Sequence, residues 1–443
     1  MNSIVRRNAG AATAIASIAA NVGRSLVALL TLPALFTFLG NDTFGFWLVA
    51  LSLMGFVNFI NSGVSSATVT YIARASASTD VLSSLPPIIY AAAVLAIGLG
   101  FLVAAVSIPI ILLTDWHGLL KLGPSLSPDD VKPLLLVIAL ILATGFVVMV
   151  PRQVMLGMQQ GYIAFALDFL GVLFGAVALL SAVHLKAPLW VLGLALLAPS
   201  YLITLIVGTF YLAQKGLLRF SWEVFRSAPV FPLVRDAARM SGYQAAFVVS
   251  SQSDLLLIGI FLGAPASVAY GIAHRVFSFP TMAIASVNYA QWPAIAKADA
   301  AGKHKEMYKL FWRTLISGTA AAVIAALCIL LFYNRLVEMW FGTAIATDPL
   351  ILVGMICWVL ISTLVGTCDI MLRAQNASKF LLRCMIGMAL INVSSSIVLI
   401  QLIGPAGAIF GSVVGYAVGL LLPYIYQIRT TEMRRRLDEL RTC

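Results

Sequence analysis

Apolar stretches about as long as a bilayer is thick recur along the whole chain and leave little else for it to be built from. Crossing the hydrocarbon core takes about 20 apolar residues per helix, since lipid offers the backbone no hydrogen bonds. Runs bounded by glycine, proline and charge place spans at 9–39, 44–73, 86–114, 132–157, 161–184, 188–214, 240–262, 266–296, 310–333, 349–373, 380–402 and 405–428. The expected fold class is therefore all-α integral membrane, with about 12 transmembrane helices. The composition agrees, because a chain that is 61% hydrophobic and only 10% charged, with mean hydropathy +0.99, cannot keep water as its main solvent.

A net charge of +11 would point a soluble protein toward nucleic acid, but here the charges sort by side of the membrane. Arg74, Arg152, the 215–239 and 297–313 segments, Arg373 to Arg383 and the C-terminal tail fall on one side. The other side receives Lys121, Lys132, Lys186 and Arg335, along with Asp115, Asp129 and Asp130. Positive-inside threading puts both termini in the cytoplasm, and no nucleic-acid partner is expected. Arg6 and Arg7 precede an apolar run that reaches Leu39 without a small-residue cleavage site, which is the pattern of a retained first helix. Cys328, Cys357, Cys368 and Cys384 lie inside apolar runs and Cys443 is terminal, so neither a disulfide framework nor a metal site is expected.

The 215–239 segment mixes Leu217, Phe220, Trp222, Phe225 and Phe231 with Lys215, Arg219, Arg226 and Arg235, a composition suited to the headgroup region. It divides the chain into an N-terminal six-helix lobe (1–214) and a C-terminal one (240–428), followed by a short basic tail (429–443). Phe38-Leu39-Gly40 with Phe44-Gly45 recurs as Phe261-Leu262-Gly263 with Tyr270-Gly271, and Met155-Leu156 with Gln159 as Met371-Leu372 with Gln375. The nearly equal offsets of these matches point to an internal repeat.

Ionisable groups inside spans are costly and usually face a cavity or a partner. Arg24 sits near the middle of the first span, at a cost on the order of 3 kcal/mol unless water, a carboxylate or an anion is near. On the helical period it shares a polar stripe with Thr13, Ser17, Asn21 and Thr31. Asn58 and Asn61 mark the second span, Gln244 and Asp254 the seventh, and His274, Arg275 and Asn288 the eighth. Asp254 and Arg275 lie at similar depth on consecutive helices and are expected to pair, either as a brace or as an anion site with a coupling carboxylate. Asp168, Asp369 and Arg373 lie nearer the cytoplasmic ends and are expected to be solvated or snorkelling. The chain carries no Walker motif, no glycine-rich phosphate cradle, no Cys/His cluster and no Ser/His/Asp set, so neither an enzyme nor a cofactor is expected.

The run Leu32-Pro33 to Leu39-Gly40, then Phe44-Gly45-Phe46-Trp47 and Asn61-Ser62-Gly63, resembles the opening of polysaccharide biosynthesis flippases. These form the O-antigen (Wzx-like) branch of the multidrug/oligosaccharidyl-lipid/polysaccharide (MOP) exporter superfamily. Asp254 to Gly263, Tyr270-Gly271-Ile272-Ala273-His274-Arg275 and Trp292-Pro293 are similar to the seventh and eighth helices of that family, and the resemblance covers nearly the whole chain. It implies two lobes around a central cavity, alternating access, a bacterial inner-membrane location and a polyprenyl-diphosphate-linked oligosaccharide as substrate. On that basis Arg24 is expected at the diphosphate, Asn58, Asn61, Gln244, Arg275 and Asn288 are further substrate-binding candidates, and Asp254 is a candidate for H+ or Na+ coupling. Membrane lipid, the polysaccharide polymerase and other assembly proteins are the expected partners. The alternatives are a multidrug or organic-ion antiporter of the same superfamily and a non-transporting subunit of a polysaccharide assembly complex. Arg24 favours the flippase over an exporter of cations, because a guanidinium offers paired donors to phosphate.

Overall fold

The structure, a computed structural model, describes residues 3–76, 81–123, 126–218, 221–375 and 377–442. Helices account for all regular structure among them. Helix α1 (Ser3–Ala75) breaks at Gly40, where φ is 71° and ψ 174°, so it consists of two arms that correspond to the expected first and second spans. Only glycine takes such a conformation without strain, and a Cβ there would touch nothing, so conformation rather than crowding selects the residue. The repeated motif makes the same break, since Gly263 has φ 95° and ψ 154°. The internal similarity read from the sequence is thus also a similarity of backbone.

After α1 come α2 (Val81–Leu113), a short α3 (Trp116–Leu119), α4 (Pro128–Gly157), α5 (Gly161–His184) and α6 (Leu189–Gln214). Helix α4 begins where Ser127 caps the Asp129 amide and Pro128 occupies the first turn, with Asp129 and Asp130 facing the positive end of the helix dipole. The expected link at 215–239 contains α7 (Trp222–Arg226) and the first turns of α8 (Val230–Leu262). Helices α9 (Ser267–Ala300), α10 (His304–Phe341), α11 (Pro349–Ala374), α12 (Ser378–Ile403) and α13 (Ala406–Val414) follow. A π-helical stretch at Gly415–Leu421 then leads into α14 (Leu422–Thr442).

Helices stand at all the expected span positions. Among the described residues nine segments are long and apolar enough to cross a bilayer, from Leu30–Gly55 to Ala406–Met433. The segment Leu30–Gly55 runs across the break at Gly40, and within the expected seventh span the described residues hold a shorter apolar stretch, Val248–Leu262.

Contacts divide the chain into two compact units, the first comprising Met1–Phe44 and Leu53–Ala245 and the second Gly45–Ser52 and Ala246–Cys443. In the first, α4 packs on α2 and α6, and α5 packs on α6, around a core that includes Ile72, Leu85, Phe146, Val154 and Leu212. Small residues let these helices approach closely, with Gly100 against the Ala143 carbonyl and Gly171 against Ser200. In the second unit Phe46, Trp47, Val49 and Ala50 are at most 1% exposed, and Ser267 donates to the Gly45 carbonyl at 3.2 Å.

The second unit also contains a glycine ladder. Gly407, Gly411, Gly415 and Gly419 recur every fourth residue and meet Leu399 and Ile400, Ser396, Asn392 and Met388 in turn. The rising and falling numbers show that α12 runs antiparallel to α13 and the π-helical stretch. A Cβ at Gly415 would stand 2.7 Å from the Asn392 Cβ and 2.9 Å from its Cα, so the two helices would have to separate. Gly415→Ala should therefore cost about 1–3 kcal/mol of stability. The check is thermal denaturation of the detergent-purified protein, where a melting curve that matched wild type would count against so tight a contact.

Candidate functional site

In the second unit, Asp254 on α8 is 6% exposed and bonds to side chains of two other helices. Tyr270 on α9 donates to its Oδ2 at 2.5 Å, and Ser412 on α13 donates to the same oxygen at 3.0 Å. Asn392 on α12 donates from Nδ2 to the Ser412 oxygen at 2.7 Å. Tyr270, Asn392 and Ser412 are all buried, at 1%, 0% and 4% exposure. Two oxygens stay open: Oδ1 of Asp254 and Oδ1 of Asn392 are buried and have no hydrogen-bond partner among the described residues. A buried carboxylate is tolerated when a proton, a cation or a charged partner neutralises it. Among the described residues the cluster supplies hydroxyls and open carbonyl-type oxygens but no charged partner, so chemically it can take a proton or a hard monovalent cation.

The expected pair of Asp254 with Arg275 is not formed. Arg275 is exposed, and Asp254 makes no ion pair with it among the described residues. Equal depth is not equal direction: Arg275 follows Tyr270 by five residues, about 140° around the helix, whereas His274 at one helical turn keeps to the buried side. The His274 ring stacks 6.1 Å from Tyr270 and lies 5.1 Å from Trp358.

In the first unit, three helices meet at Asp168 of α5. Arg152 of α4 donates from Nη2 to Asp168 Oδ2 at 2.8 Å and from Nε to Oδ1 and Oδ2 at 3.1 and 3.2 Å. Its guanidinium also lies 5.6 Å from the centre of the Phe165 ring. Arg24 of α1 reaches the same Oδ2 at 4.0 Å while keeping 55% of its side chain exposed. The expectation that Asp168 is solvated is corrected here, since its side chain is only 11% exposed. Arg152 and Asp168 stand equally far before and after Gln160, at the turn between α4 and α5. That symmetry about the turn was the sequence signal for the pair. Asp369 is likewise paired, with Arg373 one helical turn along α11.

Of the other expected site residues, Asn61 is half-buried and its Oδ1 has no partner among the described residues. Asn58, Gln244 and Asn288 lie on helices, but their side chains fall outside the described residues. Tyr270 and Ser412 were missed as partners of Asp254, and Asn392 as the partner of Ser412, because tyrosine, serine and asparagine inside spans ordinarily serve as packing glue.

The fold matches those of solved MOP-superfamily transporters. A multidrug resistance MATE family transporter in an inward-facing conformation aligns with a TM-score of 0.72 and 13% identity, over 93% of this chain and 96% of that one. The lipid II flippase MurJ in an inward closed conformation aligns with a TM-score of 0.68 and 12% identity, over 94% and 87%. A MOP superfamily transporter from Pyrococcus furiosus, described as having a binding pocket of reverse polarity, aligns with a TM-score of 0.63 and 13% identity, over 97% and 96%. No curated protein sequence matches. The chain is thus a multi-pass membrane protein with the MOP transporter fold. It belongs to the polysaccharide biosynthesis protein family, whose model matches residues 11–299.

Proposed function

We propose that the protein is an alternating-access flippase that carries a polyprenyl-diphosphate-linked oligosaccharide from the cytoplasmic to the outer leaflet of a bacterial inner membrane for surface polysaccharide synthesis. The observation that carries this reading is Arg24. It is a permanent cation on a helix of the first unit with more than half of its side chain open, so it is available to an anionic headgroup. Membership of a polysaccharide biosynthesis family supports a sugar-bearing lipid as the cargo. The further substrate contacts assigned from sequence are Asn58, Asn61 and Gln244 in the first unit and Arg275 and Asn288 in the second. Asp254 takes up the coupling H+ or Na+, and the chain makes and breaks no covalent bond in its substrate.

Proteoliposomes carrying the purified protein and a fluorescent polyprenyl-diphosphate oligosaccharide test this directly. The labelled lipid should move between leaflets chemically unchanged. Failure to move it, with transport of organic cations instead, would favour the antiporter reading. Orientation is tested separately in a cysteine-free background. A cysteine at exposed Lys186 should react with an impermeant thiol reagent added outside cells, and one at exposed Ser227 should not. The reverse pattern would invert the threading.

A further inference from the structure

Arg152 and Arg24 treat the Asp168 carboxylate differently. Arg152 grips it with three donor contacts, is 21% exposed, and is backed by the Phe165 ring, so the carboxylate has a fixed place. Arg24 only reaches it, at 4.0 Å and with an open face. The approach depends on Gly23, where any Cβ would collide with the Phe169 ring. Glycine therefore lets α1 come close to α5 at that level, and this brings Arg24 beside Asp168. Two guanidiniums around one carboxylate leave one positive charge in excess, held by the arginine that is less committed.

We propose that Asp168 is a positioning residue for the transport cycle: held by Arg152, it aims Arg24 while the site is empty and competes with the phosphate for it when the substrate leaves. The inference rests on the reading of Arg24 as the diphosphate ligand. A phosphate offers Arg24 a bidentate contact that the distant carboxylate does not, so loading is favourable. The returning carboxylate then lowers the cost of stripping that anion away. Asp168 thus trades affinity for release.

The sign of the effect separates this role from a purely structural one. If Asp168 merely fastened α4 to α5, neutralising it would loosen the unit and weaken binding. If it competes for Arg24, neutralising it tightens binding and slows turnover. The test is equilibrium binding of undecaprenyl diphosphate to the purified full-length protein, with undecaprenol as the anion-free control, alongside transport in proteoliposomes. Asp168→Asn should bind the diphosphate about two- to fivefold more tightly, the range expected for losing a partly exposed ion pair, and should turn over more slowly. Asp168→Glu should return both quantities toward wild type. Should Asp168→Asn fold poorly, the double variant Arg152→Gln with Asp168→Asn replaces the ion pair by a hydrogen-bonded amide pair and should show the same tightening. Unchanged or weaker diphosphate binding by the folded variant, or equal tightening toward undecaprenol, would overturn the proposal. Arg24→Ala serves as the separate check on the underlying reading. Loss of binding there, without tightening in Asp168→Asn, rejects only the positioning role. Wild-type affinity in Arg24→Ala, or no binding by the wild-type protein, rejects both.

Discussion

Arg24→Ala should lower transport of the lipid-linked oligosaccharide by about tenfold or more, the loss typical of removing a charged partner from a bound anion. The protein should still insert normally, because the removed side chain is more than half exposed and Asp168 keeps its contacts with Arg152. Arg24→Lys should retain part of the activity, since an ammonium preserves the charge but not the paired donor geometry that grips a phosphate from two sides. The measurement is initial translocation rate per inserted protein in proteoliposomes. A normally inserted Arg24→Ala variant with full activity would remove Arg24 from the substrate path and move the search for the diphosphate ligand to Arg275.

Asp254→Asn should uncouple transport from the ion gradient. The amide is nearly isosteric and keeps an oxygen that can accept from Tyr270 and Ser412, so the surrounding helices should hold. It cannot carry the charge that a proton or sodium ion neutralises. Translocation should therefore fall to a slow rate that no longer responds when a pH or Na+ gradient is imposed, whereas that of the wild-type protein should respond to one of them. Because the expected partnership with Arg275 is absent, Asp254→Asn and Arg275→Gln should combine additively, to within about 0.5 kcal/mol when expressed as free energies. Strong non-additivity would mean that the two charges meet in another state of the cycle. Retained gradient dependence in Asp254→Asn would exclude it as the coupling residue.

The helices and their ends were largely legible in the sequence, because the signals were strong and local. Apolar length set the spans, and Phe38-Leu39-Gly40 and Phe261-Leu262-Gly263 marked two breaks whose glycines adopt positive φ. Arg24, Asp254 and Asn61 stood out because polar groups in lipid demand an explanation. What could not be read was direction around each helix and partnership across the fold. Asp254 was assigned to Arg275 by depth alone, yet its contacts include Ser412, which is 158 residues away in the chain. No local pattern encodes that distance. Hydropathy also misjudged Asp168, treating a carboxylate near a helix end as solvated when the arginine across the α4–α5 turn had taken it in.

The glycine ladder has a mechanical corollary. Helices that mesh through side chains can slip past one another by exchanging rotamers, like gears with some play. Along Gly407, Gly411, Gly415 and Gly419 that compliant layer is missing, and α12 meets its neighbour almost backbone to backbone. The two should therefore move together, with the 2.7 Å hydrogen bond from Asn392 to Ser412 tying them at one level. If Asp254 takes up the coupling ion, the movement that admits it should come from α8 and α9, which carry Asp254 and Tyr270, rather than from this close-packed pair.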